Sequence, residues 1–242
     1  EKTRKFRFPV RQTIQKCWNG QRNSHRDNYT PKKDSQTKCM KLGFILECGP
    51  QGADLKVCKN LVGRIRPNYE FVAITLDNKP KLIRGCGEAA KQLIKSGCET
   101  VYIIWDLFPD WRDDRTRPCM KEDRDNIFDS LNAAQVPLDR VHLVCIEQEL
   151  ESWLIADGRA ISSYLSTQTR QVNIRHESRP DQVQNPKKKL NRHFTQSRGG
   201  SFNYIDYMHA EKLVVLIPDF QRLKKSETFK RFYFKLTGTQ LT

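Results

Sequence analysis

No stretch of this sequence stays apolar for long. The longest apolar runs, Lys41–Leu46, Val101–Trp105 and Leu213–Pro218, fall far short of the roughly 18 residues a membrane helix needs, so no membrane partner is expected. No secretory signal is visible, and because the chain begins at Glu1 its natural start is expected to be missing or processed. The eight cysteines (Cys17, Cys39, Cys48, Cys58, Cys86, Cys98, Cys119, Cys145) contain no Cys-x-x-Cys pair, which leaves a zinc ribbon or finger with little support. Several lie in apolar stretches, such as Cys145 in Val141–Ile146, where a thiol behaves as a small hydrophobe. Free thiols in a reducing cytoplasm are the expectation. No G-x-x-x-x-G-K-[ST] occurs, so this chain supplies no P-loop ATP hydrolysis. No G-x-G-x-x-G follows a strand, which disfavours a dinucleotide-dependent enzyme. Internal repeats are absent as well.

What the chain does have is positive charge. Its 242 residues carry 43 Lys+Arg against 28 Asp+Glu, a formal +15, while 37% hydrophobic content and the length suffice to bury a real core. The excess sits at the two ends. Residues 1–41 hold 12 basic and 3 acidic side chains, residues 42–169 hold 16 and 19, and residues 170–242 hold 15 and 6. Basic flanks around a slightly acidic centre suit a nucleic-acid enzyme whose flanks meet phosphates while its carboxylates hold metal. A basic surface can also serve solubility alone.

Residues 1–40 mix basic residues with Asn, Gln, Ser and Thr and show no sustained period, as in a basic arm. There Phe6, Phe8 and Trp18 would pack on the body or stack on bases. From Lys41 the pattern becomes regular. Short apolar runs at Leu42–Leu46, Phe71–Leu76, Val101–Trp105 and Val141–Ile146 predict strands, and helical patterns lie between them at Ala53–Val62, Gly87–Ser96 and Cys119–Gln135. A further helix is predicted over Glu149–Ala156. Continuous apolar strands alternating with helices predict an α/β fold, a mostly parallel Rossmann-like sheet with helices on both faces. This core spans 41–165. It ends with a helix at Arg159–Leu165, and a basic, mainly helical region, 166–242, follows, with a polar loop over Ser166–Pro186 and helices at Lys187–Phe194, Ile205–Ile217 and Thr228–Leu236.

Three predicted strands end at or near acids. Glu47 closes the first, before the Gly-rich turn Cys48-Gly49-Pro50-Gln51-Gly52. Asp106 closes the third, with Asp110 four residues on, and Glu147, Glu149 and Glu151 follow the fourth. If these strands are neighbours, the carboxylates meet on one rim, where hard oxygen ligands suit Mg²⁺ or Mn²⁺. Taken singly, any one of them is as well explained as a solvated strand end. Glu47 stands out because Gly49 and Gly52 permit close approach. Glu151 is next, since Trp153 and Leu154 place it at a partly buried helix start, where a carboxylate needs a partner.

At these residues the chain resembles a known family. Phe44-Ile45-Leu46-Glu47 with its glycine turn and Asp54 is similar to the first motif of the Toprim fold, and Ile103-Ile104-Trp105-Asp106 to its second. Glu149-Leu150-Glu151-Ser152-Trp153-Leu154-Ile155-Ala156-Asp157 resembles a stretch found in Toprim-like proteins of bacterial defence loci, relatives of the overcoming-lysogenisation-defect nucleases. The resemblance covers roughly residues 41–235 and implies a divalent-metal-dependent nuclease, serving antiviral defence in the cytoplasm, with an ATPase as a possible partner. By that kinship, Glu47, Asp106, Asp110 and Glu151 ligate Mg²⁺ or Mn²⁺, and Glu47 and Glu151 also count as catalytic. Two departures stand out. Position 108, an acid in the usual second motif, is Phe, so either Asp110 replaces the ligand or one metal site is weakened. Cys48 also separates Glu47 from the glycine that normally follows it directly.

The nuclease relatives add a late lysine that neutralises transition-state charge. Lys212, beside an apolar stretch and expected to be only partly exposed, is narrowly preferred over Lys187, Lys188 and Lys189. Those three, with Arg192, are expected to contact nucleic acid. His209 would be a general acid or base, or a structural histidine. Asp157 is expected to hold a helix end or a basic neighbour. Two readings from different classes result: a metal-dependent nuclease acting on DNA or RNA, or a catalytically inactive nucleic-acid-binding subunit working with a partner. Either could form a homo-oligomer.

Overall fold

Four apolar runs pair side by side. The computed structural model describes residues 40–108 and 118–242, and within them β1 (Met40–Leu46), β2 (Tyr69–Thr75), β3 (Cys98–Asp106) and β4 (Val141–Ile146) form one sheet in the order β2-β1-β3-β4. Every pairing is parallel. A parallel sheet must be covered on both faces because each crossover lays a helix on one of them. The strands accordingly have no solvent face at their centre: Phe44, Ile45, Leu46, Val101 and Ile103 are all fully buried. The expected α/β class is observed.

Alternate residues feed two cores. Leu42, Phe44, Leu46, Tyr102, Ile104, Val144 and Ile146 face one; Ile45, Val101, Ile103, Trp105 and Cys145 face the other. The second core is closed by α2 (Lys79–Lys95) and α3 (Met120–Ala133), whose buried stripes are Leu82, Cys86, Ala89, Ala90 and Leu93 and Ile127 and Leu131. The two helices touch at Gly87, where an added Cβ would collide with the Ser130 carbonyl. The Ser130 hydroxyl takes the Gly87 N–H at 3.1 Å and donates to the Arg84 carbonyl at 3.2 Å. The first core is covered by α1 (Ala53–Ile65), α4 (Glu151–Ile155), α5 (Gly158–Leu165), α6 (Pro186–Arg198), α7 (Asp206–Val215) and α8 (Glu227–Thr237). Residues 166–242 thus help to cover the sheet, and residues 38–242 form one compact unit.

Several boundaries differ from those predicted, three of them with consequences. Helix α2 begins at Lys79 rather than Gly87: the Asn78 side chain accepts the Lys81 N–H at 3.1 Å, and Pro80 sits in the first turn, where its missing N–H costs nothing. Helix α6 runs to Arg198, beyond the expected Phe194. Helix α4 starts at Glu151, leaving Glu149 in the preceding turn. The six described cysteines are free thiols. Among the described residues no helix is long and apolar enough to cross a membrane. Apart from Met40, the expected basic arm lies outside the described residues, as does Asp110.

Trp153 and Asp157, which carry much of the family resemblance, are structural. The Trp153 indole donates to Thr228 Oγ1 at 2.9 Å and packs against Phe229 and Phe232, tying α4 to α8. Asp157 accepts the Arg159 N–H at 3.0 Å as the cap of α5 and pairs with the Arg159 guanidinium, so it holds both the helix end and the basic neighbour expected of it.

Candidate active site

Because β1, β3 and β4 are adjacent and parallel, their carboxyl ends share one rim, and the acids that follow them come together there. A cavity of about 740 Å³ is lined by Glu47, Asp54, Asp77, Asp106, Glu149, Glu151, Asp206 and Lys187, among others. Seven acids face one cation among the described lining residues.

Each side chain is positioned by a local device. Glu47 lies one residue beyond β1 and accepts the Asp106 N–H at 3.2 Å, bridging the ends of β1 and β3. The turn that follows is tight: the Gly52 N–H reaches the Gly49 carbonyl at 2.9 Å, and a Cβ at Gly52 would stand 2.7 Å from Cys48 Sγ and 3.0 Å from the Gly49 carbonyl oxygen. That turn delivers Asp54 in the first turn of α1. Asp106 accepts the Leu150 N–H at 3.4 Å, joining β3 to the start of α4. Glu151, 5% exposed, accepts the Tyr204 hydroxyl at 3.1 Å. The partner its burial demanded is thus a phenol, not a cation.

Lys187 owes its place to Glu149. Asn185, ahead of α6, has a left-handed backbone (φ 54°) and offers no side-chain cap. The Glu149 carboxylate takes the Lys187 N–H instead, at 3.1 Å, seating an acid on the positive end of α6. The Lys187 ammonium pairs with Asp206, the first residue of α7.

The electrostatics are lopsided. Burial pushes the Asp106 carboxyl well above the usual carboxylate range, and Asp54, Glu47, Glu151 and Glu149 push it further. Glu151 is pushed up to about 7 by burial, against the pull of Lys187 and with Glu149 and Asp54 adding to it. Asp54 rises to about 6, again chiefly by burial, with Lys187 opposing. The Cys48 thiol is raised to about 12 by burial and by Asp54. Burial works against the Lys187 charge, yet Glu151, Asp206 and Glu149 outweigh it and hold the ammonium above its ordinary range. Asp206 is held low: burial would raise it, but the Lys187 hydrogen bond prevails.

As the side chains stand, no three described His, Cys, Asp or Glu residues are arranged to hold a metal ion. The donor set still fits a hard divalent cation. All the candidate ligands are carboxylates, Asp106 and Glu151 accept hydrogen bonds from neutral donors, and the raised carboxyls are those a nearby positive charge would relieve.

Of the residues singled out by sequence, Glu47, Asp106, Glu151 and Lys187 line this cavity, as does Asp54. Lys212 does not line it and is exposed on α7, not partly sheltered as expected, so Lys187 replaces it as the lysine near the acids. Lys188 and Arg192 are exposed on α6, and Lys189 pairs with Glu177. His209 is structural: it is buried among Phe194, Phe202, Tyr164 and Tyr204, and its Nδ1 accepts the Ile205 N–H at 2.8 Å. Burial, then Lys212, lowers its pKa and keeps the ring neutral. Asp206 and Tyr204 were missed. Asp206 opens a helix with an acid in its first turn, a weak signal, and nothing near Tyr204 marks it. Comparison with protein-family models, curated proteins and solved structures finds no match for this chain.

Proposed function

We propose that the chain is a divalent-metal-dependent nuclease that hydrolyses phosphodiester bonds of DNA or RNA. The observation that carries this reading is the acid-rich cavity at the carboxyl ends of β1, β3 and β4, with Lys187 as the cation among its described lining residues. Glu47, Asp106 and Glu151 are the proposed ligands of Mg²⁺ or Mn²⁺, with Asp54 beside them and Asp110 a further proposed ligand. The ion would supply a Lewis acid for a phosphate oxygen and a water of lowered pKa. Lys187 would meet a non-bridging oxygen of the scissile phosphate, since its ammonium is the positive group there to receive an anion. Tyr204 holds the Glu151 carboxylate in orientation through its hydroxyl. The resemblance to Toprim-like defence nucleases agrees with this reading and adds, as proposals, an antiviral role and an ATPase partner.

The test is cleavage of DNA and RNA in Mg²⁺ or Mn²⁺, abolished by EDTA. Glu47→Gln and Asp106→Asn keep shape while removing charge, and each should abolish cleavage with the fold intact. Wild-type cleavage by either variant would refute the assignment. Phe108, standing where the family's second motif has an acid, favours a second reading, a binding subunit without catalysis. Nucleic-acid binding with no cleavage in Mn²⁺ would put it in first place.

A further inference from the structure

A second cavity, of about 310 Å³, runs along β4, the edge strand of the sheet. Its half-buried apolar lining is Met120, Phe128, Val141 and Leu143, and its cations are Arg124, Arg231 and Lys235. Arg124 comes from α3 on one face of the sheet; Arg231 and Lys235 come from α8 on the other. Arg231 and Lys235 are four residues apart and share one side of α8. Among the described residues, Glu147 pairs with Arg231 at 2.8 Å, but no acid pairs with Arg124 or Lys235. Burial, then repulsion from Arg124 and Arg231, lowers the Lys235 pKa. Arg124 and Arg231 are exposed and Lys235 half-buried, and three cations this close together attract an anion.

Arg231 also lines an adjoining cavity of about 420 Å³ with Arg179, Lys224, Lys225 and Lys230; Glu147, Asp181 and Glu227 line it too, Glu227 pairing with Lys230, so cations outnumber acids there five to three. A surplus of positive charge therefore continues from α8 to the turns before it, over two cavities. A single phosphate would satisfy one of them, whereas a ligand with repeated phosphates satisfies both. Phe128 is the partly exposed ring in the first cavity and could meet a base face, and a duplex keeps its base faces stacked inside, so a single strand fits better. Glu147, the partner of Arg231, opens the turn that carries Glu149 and Glu151 to the acid-rich cavity.

We infer that the α8 track, Arg124, Arg231 and Lys235 continued by Arg179, Lys224, Lys225 and Lys230, binds the phosphate backbone of a single-stranded nucleic acid. The inference rests on the nuclease reading for what the strand is delivered to, while the binding itself requires no metal.

Binding can therefore be measured apart from chemistry, by anisotropy of labelled oligo(dT), oligo(U) and a DNA duplex in EDTA. The wild type should prefer the single strands. Arg124→Gln/Arg231→Gln/Lys235→Gln should weaken single-strand binding about tenfold or more, the loss expected for charged hydrogen bonds. It should also flatten the log–log salt slope by about 2, at roughly 0.7 per lost phosphate contact. The charge-preserving Arg231→Lys/Lys235→Arg should keep the slope, guarding against a folding defect in the triple variant. Unchanged affinity and slope in a folded triple variant, or preference for the duplex, would overturn the inference. Glu47→Gln separates the two claims. If Glu47 is needed for cleavage but the triple variant binds normally, the track is wrong and the nuclease reading stands. If the track is needed for binding and no cleavage occurs in Mn²⁺, the track stands and the nuclease reading falls.

Discussion

Lys79→Met offers the sharpest test of how the fold supports the site. Lys79 and Asp123 are 3% and 2% exposed, with Lys79 Nζ 3.6 Å from Asp123 Oδ2. The same ammonium donates to the Leu107 carbonyl at 2.6 Å, and the Trp105 indole donates to Asp123 at 3.2 Å. The pair thus clamps the start of α2 to the exit of β3, one residue past Asp106. At 3.6 Å, opposite charges attract by about 4–5 kcal/mol at an effective dielectric of about 20. Desolvation offsets much of that gain, but deleting the buried ammonium breaks the pair and strips the Leu107 carbonyl of its donor, a loss of up to about 3–5 kcal/mol. For a unit of this size that is a fall in Tm of about 6–20 °C. Lys79→Met/Asp123→Leu removes both charges and should recover part of the loss, the Trp105 indole N–H and the Leu107 carbonyl still lacking their former partners. Urea unfolding with a check on constant m measures all three proteins. A single variant within about 1 kcal/mol of wild type, or a double variant no more stable than the single, would refute this account.

Lys187→Ala should lower cleavage by about 10²–10³-fold, the usual scale for one positioned group that stabilises transition-state charge, whereas Lys212→Ala should leave the rate unchanged; single-turnover cleavage compares the two. Tyr204→Phe removes the donor to buried Glu151 and should cost about 1–3 kcal/mol in thermal unfolding, while raising the Mn²⁺ concentration needed for half-maximal cleavage. Gly52→Ala forces a methyl against Cys48 and the Gly49 carbonyl, and should destabilise by about 1–3 kcal/mol on urea unfolding. Cys48, with its thiol raised to about 12, should react with iodoacetamide at neutral pH far more slowly than exposed Cys119, as peptide mapping by mass spectrometry would show.

The strand ends were legible because a parallel strand buried on both faces leaves a continuous apolar run, and the first acid after it marks the rim. Glu47 and Asp106 follow from that rule; Glu151 does not, because the first acid after β4 is Glu147, which pairs with Arg231 instead. Lys187, Asp206 and Tyr204 do not, because their place depends on how α6 and α7 lie against α1 and α4, which local pattern does not encode. Glu149 read as a helical residue because its real task, capping α6, is a contact with a distant part of the chain. The predicted helix at Gly87–Ser96 is shorter than α2 because Pro80 and Gly85 interrupt the helical pattern ahead of it. Pro80 nonetheless falls in the first turn, and Gly87 sits inside the helix and lets α3 approach. The Lys79–Asp123 pair left no trace, since a lone lysine and a lone aspartate on separate helices read as surface charge.

The acid-rich cavity draws Glu47 from the beginning of the folded unit and Lys187 and Asp206 from near its end. During synthesis, then, a ribosome-bound chain that has emerged only through β4 owns the acids of the sheet rim but lacks Lys187, Tyr204 and Asp206. No shortened product ending before α6 would carry the whole constellation. If the chain is the nuclease proposed above, chain order would hold cleavage back until the residues through Asp206 had been made.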